Sequence, residues 1–388
     1  MLNEFLDEKI SQIDAQGLLR TLRFVLGVPS SRIVIDGKKF VNFSSNNYLD
    51  LAGNKEINDA VKAALDEYGA AGASSRLVGG TLLIHKMLEE AVASFKNKES
   101  ALLFPSGYQA NAGVISALAS KTDNACVIMD KLNHASLWDG AKLGGARIFI
   151  YEHCDMYSFE KILKRTKDYK LKLAVSESVF SMDGDIAPLS DFSKLCAQYG
   201  AVSVVDEAHS TGVFGKEGRG LAGVDAQIDV IIGTLSKAFA AQGGFVCGSS
   251  QLVNYLINKS RAFIYTTAVS PAICAAALKA LEIIKKSDDQ RILLSVNAKY
   301  LREKLSALGF NCGKSQTQIV PIITGDIKTT ETLSKKLFEN FILAPAIKPP
   351  TVPDGQARIR ISLTAGHTRA DIENLTAVLE KEKCIKSL

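Results

Sequence analysis

The chain has 388 residues, 47% hydrophobic and 22% charged, with a formal net charge of +5. That length fits two or three domains of an ordinary globular protein, and so slight a positive excess, with no Lys/Arg block, excludes a nucleic-acid footprint. Seven cysteines, scattered and never in a C-x-x-C pair, argue against a disulfide framework or zinc knuckle and for a reducing compartment.

The opening MLNEFLDEKI carries acids where a signal peptide needs bases, so a cytoplasmic protein is expected. The first forty residues read as an amphipathic helix followed by a hairpin, SSRIVIDGKKFVNFSS, with Asp36-Gly37 as its turn signal. Residues 54–68, NKEINDAVKAALDEY, have helical spacing. From about 100 to 250, the β-prone runs SALLF, ACVIMD, ARIFIY, KLAVSES, AVSVVD, DVIIGT and GGFVCGS alternate with helical patterns. This alternation predicts an α/β fold with a mostly parallel sheet and covering helices. One long helical stretch, roughly 271–308, leads to a smaller α+β portion containing QTQIVPIIT and ARIRISLT. The division is a helix-and-hairpin segment at 1–50, a large domain at 51–285 and a small C-terminal domain at 286–388. The ending CIKSL, with Cys384 five residues from the last, is not a prenylation box. No apolar run reaches transmembrane length, so no membrane partner is expected.

Ligands of open α/β sheets bind beyond the carboxyl ends of the strands, so the residues just after each run are informative. ACVIMD leads to His134, KLAVSES to Ser181 and Asp183, AVSVVD to Asp206 and His209, and DVIIG to Thr234 and Lys237. Singly, each has an ordinary explanation: a loop histidine, a capping Asp or Ser, a solvated Lys. Together, among glycines, they form a convergent polar cluster. Zinc is disfavoured, because no spaced histidine pair is present and Lys237 would repel the metal. GAAGASSRLVGG lacks a strand-turn-helix nucleotide fingerprint, and FPSGYQ does not supply a G-x-S-x-G elbow.

Lys, Asp and His beside an anion site match what pyridoxal phosphate requires. A lysine amine meets the aldehyde, and an aspartate pairs with the protonated ring nitrogen. FPSGYQANAGVISAL offers the phosphate a helix N-terminus opened by Ser106, Gly107 and Tyr108. Thr234 adds a hydroxyl, and Gly243 and Gly244 allow close approach of the backbone.

These residues stand in stretches that resemble the α-oxoamine synthase family of fold-type-I pyridoxal phosphate transferases. The likeness runs from NFSSNNYLDLA to ARIRISLTAGHT and includes GASSRLVGGT, LNHASL, VFSMDGDIAPL, VDEAHSTGVFGKEGRG, GTLSKAFAAQGGFV and IKPPTVPDGQARIRISLT. The resemblance implies a large cofactor-binding domain with a seven-stranded sheet, a smaller C-terminal domain, and a homodimer with sites at the subunit interface. It implies catalytic roles for Lys237, as Schiff-base lysine and general base, and for His134, Asp206 and His209. His134 would stack on the ring, Asp206 pair with its nitrogen, and His209 and Ser181 contact its phenolic oxygen. Gly107, Tyr108 and Thr234 would bind phosphate, with Thr266 or Thr267 reaching a partner subunit's phosphate. Arg360 would bind the amino-acid carboxylate, and Arg20, Asn46 and Thr351 lie at positions near the substrates. The implied reaction is an acyl transfer of biotin biosynthesis. It joins L-alanine to a pimeloyl thioester, on coenzyme A or an acyl carrier protein, with release of CO2 and free thiol. The alternative within the family joins glycine to an acetyl donor. Lys348 stands where the family commonly has arginine, exchanging a planar bidentate donor for a point charge.

Overall fold

A computed structural model of the chain describes residues 1–223 and 227–386. The chain opens with helix α1 (Leu2–Ala15) and the strands β1 (Arg32–Ile35) and β2 (Lys38–Asn42). Between the strands Asp36 and Gly37 take φ values of 48° and 74°, the left-handed pair of a type I′ turn. Helix α2 (Lys55–Tyr68) begins where the Asn54 side chain accepts from Glu56 N and Ile57 N. Next come α3 (Leu83–Phe95), β3 (Ser100–Phe104), α4 (Gly107–Leu118), β4 (Ala125–Asp130), α5 (Ala135–Gly144) and β5 (Arg147–Tyr151). They are succeeded by α6 (Met156–Arg165), β6 (Leu171–Glu177), α7 (Leu189–Tyr199), β7 (Val202–Asp206), β8 (Val230–Thr234) and β9 (Gly244–Gly248). Helices α8 (Ser250–Lys259), α9 (Arg261–Ile264), α10 (Pro271–Lys285) and α11 (Asp288–Ala307) lead into the C-terminal portion. That portion holds β10 (Ile319–Gly325), α12 (Ile327–Glu339), β11 (Ile342–Leu343), β12 (Ala346–Ile347), β13 (Ala357–Ser362) and α13 (Arg369–Lys386).

The chain divides into two compact units, and the larger holds Leu49–Ser181 and Ile186–Arg291. Among the described residues, seven strands form one sheet in the order β3-β9-β8-β7-β6-β4-β5. Strands β5, β4, β6, β7 and β8 run parallel, and β9 is antiparallel to both β8 and β3. These are the seven β-prone runs of the sequence. Every residue of β4, β8 and β9 is buried, which is why such strands read as continuous apolar runs. Val127, Met129, Val175, Val204 and Ile232 pack with Val114 and Leu137 in the core.

The single helical stretch expected over 271–308 is instead two helices. Ser287 Oγ donates to Ile283 O at 2.8 Å, and Arg291 Nη1 donates to Ile284 O at 2.6 Å. Side chains thus take up the last carbonyls of α10, while Arg291 N bonds Ser287 O and starts α11.

The second unit comprises Met1–Tyr48, Met182–Asp185 and Ile292–Leu388. The segment expected to stand alone at 1–50 therefore folds with the C-terminal portion. The cause is an open strand edge: β11 pairs parallel to β2, with Val41 N bonding Phe341 O and Phe43 N bonding Leu343 O. Ile33, Ile35 and Phe40 bury against Phe338 and Leu343. Strands β10, β13 and β12 form a second, antiparallel sheet of this unit. Helix α1 buries none of its residues.

Candidate functional site

Parallel strands bring their C-terminal ends to one edge of the sheet, and the polar loops leave from there. Pairing sets Glu177 opposite Asp206 and Thr234 opposite Gly244. A cavity of about 250 Å³ opens at this edge, lined by residues that include Ser106, Gly107, Tyr108, Asn111, His134, Glu177, Asp206, His209, Thr234 and Lys237. A larger space of about 950 Å³ is walled by Leu171, Val202 and Val230 at the opposite strand ends. Two of its charged groups are already engaged: Lys98 Nζ donates to Ile228 O, and Asp229 accepts from Ser203 N and Oγ. The reactive groups converge on the smaller cavity.

Lys237 Nζ lies 2.8 Å from His209 Nε2, and His209 is itself buried. Asp206, 6% exposed, accepts from Asn111 Nδ2 and from Ala208 N, each at 2.7 Å. Two fixed donors thus aim its carboxylate. Asn111 Nδ2 also donates to Ser136 Oγ at 2.9 Å, and Ser136 N donates to His134 Nδ1 at 3.2 Å. The imidazole that begins α5 is therefore linked through Ser136 and Asn111 to Asp206. Crowding within the cavity lowers the pKa of His134, opposed by nearby Asp206 and reinforced by Lys237. The ring is open to the cavity, so water tempers that effect.

Glu177 did not stand out in the sequence, where it is the penultimate residue of the run KLAVSES. Its Oε1 accepts His134 N at 2.6 Å. Burial, with the Asp206 carboxylate adjacent, pushes its carboxyl well above the usual range. An acid closing an otherwise apolar strand was the available signal. Asn111 and Ser136 gave none, because a buried amide and a helix-start serine are ordinary in sequence.

The remaining wall is formed by the start of α4 together with Thr234. Ser106 Oγ caps α4 by accepting Gln109 N, leaving the helix N-terminus directed at the cavity. Thr234 Oγ1 accepts Ser236 N at 3.1 Å. A Cβ on Gly107 would stand 3.1 Å from Thr234 Cβ, and one on Gly244 would stand 2.5 Å from Ser106 O. The two backbones meet only because both residues lack side chains. The Tyr108 ring is half exposed, and its phenol donates to the Asp139 carboxylate, which raises the phenol's pKa.

Other expected residues lie apart from this lining. Ser181 is in the turn after Phe180 and does not line the cavity, and neither do Thr266 and Thr267. Thr267 is exposed and bridges to Ser75. The four expected substrate residues fall into two pairs within the second unit. Arg20 Nη2 donates to Thr351 Oγ1 at 3.4 Å, beside a cavity of about 580 Å³. Arg360 directs Nη1 and Nη2 to Asn46 Oδ1 at 3.3 and 3.2 Å, and Nη1 also donates to Ser362 Oγ at 2.6 Å. Lys348 is used internally, donating to Glu331 and to Gly17 O, each at 2.5 Å. Cys126, Cys154, Cys196, Cys247, Cys274 and Cys312 are not in disulfides, and the Cys384 side chain lies outside those described. Asp130, His153 and Cys154 bring ligand-type atoms within 4.8 Å of one another. Asp130 already accepts from Leu132 N, His153 Nδ1 and Cys154 N, so the group acts as a staple between two loops.

Residues 38–379 match the family of class I and II aminotransferases. The 8-amino-7-oxononanoate synthase of Thermoanaerobacter pseudethanolicus is 42% identical over 97% of this chain and 96% of its own length. A serine palmitoyltransferase variant from S. paucimobilis, solved with a bound PLP–myriocin aldimine, superposes with a TM-score of 0.92 at 30% identity, covering 100% of both chains. The 8-amino-7-oxononanoate synthase of Francisella tularensis superposes with a TM-score of 0.77 at 31% identity, covering 90% of this chain and 99% of its own. The chain belongs to the class I and II aminotransferase family, in its α-oxoamine synthase branch.

Proposed function

We propose that this chain is a pyridoxal phosphate-dependent acyltransferase that joins L-alanine to a pimeloyl thioester, releasing CO2 and free thiol and giving 8-amino-7-oxononanoate. The observation that carries this reading is the cavity in which Lys237 Nζ stands 2.8 Å from His209, with the Asp206 carboxylate fixed by two donors. The sequence likeness to synthases of this name supplies the substrates.

The residues fit the cofactor on chemical grounds. The glycine-lined cradle at the start of α4 suits a phosphate, the buried Asp206 carboxylate suits a protonated ring nitrogen, and Lys237 is an amine within the same cavity. When bound, pyridoxal phosphate supplies an aldehyde for amines and a ring that draws electrons from the amino acid's α-carbon. With the cofactor bound, Lys237 Nζ would hold it by its aldehyde and, once displaced by the amine of the amino acid, would be placed to take and return the α-proton. His209 Nε2 lies close enough to exchange a proton with Nζ. His134, anchored through its backbone to Glu177, forms a flat wall and a donor for the thioester oxygen, where charge develops. Arg360, its guanidinium fixed by Asn46 and Ser362, grips the alanine carboxylate, and Arg20 with Thr351 serves the acyl substrate.

A second copy of the chain completes the enzyme in this reading. Helix α1 leaves Leu2, Phe5, Leu6, Ile10 and Ile13 exposed, a face that an identical subunit would cover, and Thr266 or Thr267 would reach the partner's phosphate. Among the described residues no helix is long and apolar enough to cross a membrane. Cysteines outside disulfides suit the cytoplasm. Thiol release tests the reaction, run with L-alanine plus pimeloyl-CoA and with glycine plus acetyl-CoA. Faster release with the first pair is expected. Faster release with the second would reassign the substrates. Turnover of pimeloyl groups on an acyl carrier protein, with none from coenzyme A, would identify the carrier protein as the donor.

A further inference from the structure

Lys96 comes directly after α3, at a position where a lysine ordinarily reaches into water. Here its ammonium is fully buried, as is the Glu207 carboxylate it meets. Nζ lies 2.7 Å from Glu207 Oε2, 2.7 Å from Thr211 Oγ1 and 2.5 Å from Arg219 O, so all three of its N–H groups are used. Glu207 Oε1 accepts Leu221 N at 2.6 Å, Ala222 N at 2.7 Å and Ser210 Oγ at 3.0 Å. A Cβ on Gly220 would come within 2.4 Å of the carboxylate, so the turn closes over Glu207 only with glycine there.

A buried ion pair contributes little net stability, because desolvation offsets the attraction. What this one does is join three separate segments: the end of α3, the loop after β7, and the turn around 219–222. The middle segment carries the chemistry. Glu207 directly follows Asp206, precedes His209 by two residues, and holds its own backbone to Ile232 O at 2.8 Å. We infer that the buried Lys96–Glu207 pair is a positioning device that sets Asp206 and His209 against Lys237. Neither Lys96 nor Glu207 lines the cavity, so they act through their neighbours. The spectroscopic part of the test rests on the proposed cofactor, and the other part does not.

The test uses the full-length chain with Lys96→Met and Glu207→Leu combined, which removes both charges and strands neither. Thr211→Val, which removes one acceptor from Lys96 and retains the shape, is its milder companion. Three quantities are read: melting temperature, the pH titration of the His209 imidazole by 15N resonance without added cofactor, and the pH midpoint of the visible band after pyridoxal phosphate loading. A merely structural pair would leave a folded variant with wild-type titrations and turnover, and that result overturns the inference. A positioning pair shifts the His209 midpoint by about half a unit or more. It also moves the band midpoint and lowers kcat about tenfold in a variant that still melts cooperatively. If the double variant does not fold, Thr211→Val decides by the same criteria. If wild-type protein shows no visible band, the cofactor reading fails, and the His209 titration still decides the positioning role.

Discussion

Gly244 begins β9, where that strand passes the start of α4. A methyl group there would stand 2.5 Å from Ser106 O and 2.7 Å from Gly107 N and Cα, against an ordinary contact of 3.4–4 Å. All three obstacles are backbone atoms, so no side chain can swing aside, and the segments must part by roughly 1 Å. That separation moves the N–H groups opening α4 away from Thr234, and a misplacement of this size costs about a hundredfold where geometry is decisive. Gly244→Ala is therefore expected to weaken pyridoxal phosphate binding about tenfold to a hundredfold, with a stability loss of about 1–3 kcal/mol from overpacking. Gly248→Ala, at the other end of the strand, is the control: its Cβ would meet the tip of a flexible side chain, Leu252 Cδ2, at 2.5 Å, and its nearest backbone atom, Asp229 O, only at 3.1 Å. Equilibrium titration of each variant with the cofactor, followed by visible absorbance, separates the two. Wild-type affinity in Gly244→Ala, or an equal loss in Gly248→Ala, would refute the reasoning.

Arg360→Lys replaces a fork that spans Asn46 and Ser362 with a single point charge. KM for alanine is expected to rise about tenfold or more with the cofactor band unchanged, as steady-state kinetics would measure. His367 is buried, stacked on Phe43, and accepts Thr364 N at Nδ1, and burial holds its pKa down at about 4. The unfolded chain takes up this proton near pH 6.5, so stability is full above that pH and declines as pH falls toward about 4, by about 3 kcal/mol in all. Urea unfolding at pH 7 and pH 4.5 checks this: His367→Asn should be less sensitive to the change than wild type. Lys237→Ala should abolish thiol release while keeping the wild-type melting temperature within a few degrees, because Lys237 lines the cavity and is only partly buried.

Much of this fold was legible because its central strands are buried on both faces. Seven apolar runs became the seven strands, and the Asp36-Gly37 turn lies between β1 and β2. Parallel topology then explains why residues far apart in sequence, His134, Asp206, Thr234 and Lys237, share one cavity. What escaped depended on long-range pairing or on burial of charge. The association of β2 with β11 is set by an open edge, which no local pattern records. The break between α10 and α11 rests on Ser287 and Arg291 side chains taking up backbone carbonyls, in a stretch whose helical periodicity does not falter. Lys96, Glu177 and Glu207 were not singled out in the sequence. Only the packing reveals that all three are buried next to the segments that build the site.

The proposed role of Lys237 can be tested in one step. Protein loaded with pyridoxal phosphate is reduced with borohydride, digested, and mapped by mass spectrometry. The expected result is a phosphopyridoxyl mass on the peptide containing Lys237 and loss of the visible band. A label on another lysine, or no label in a protein that retains its fold, would contradict the assignment of this cavity.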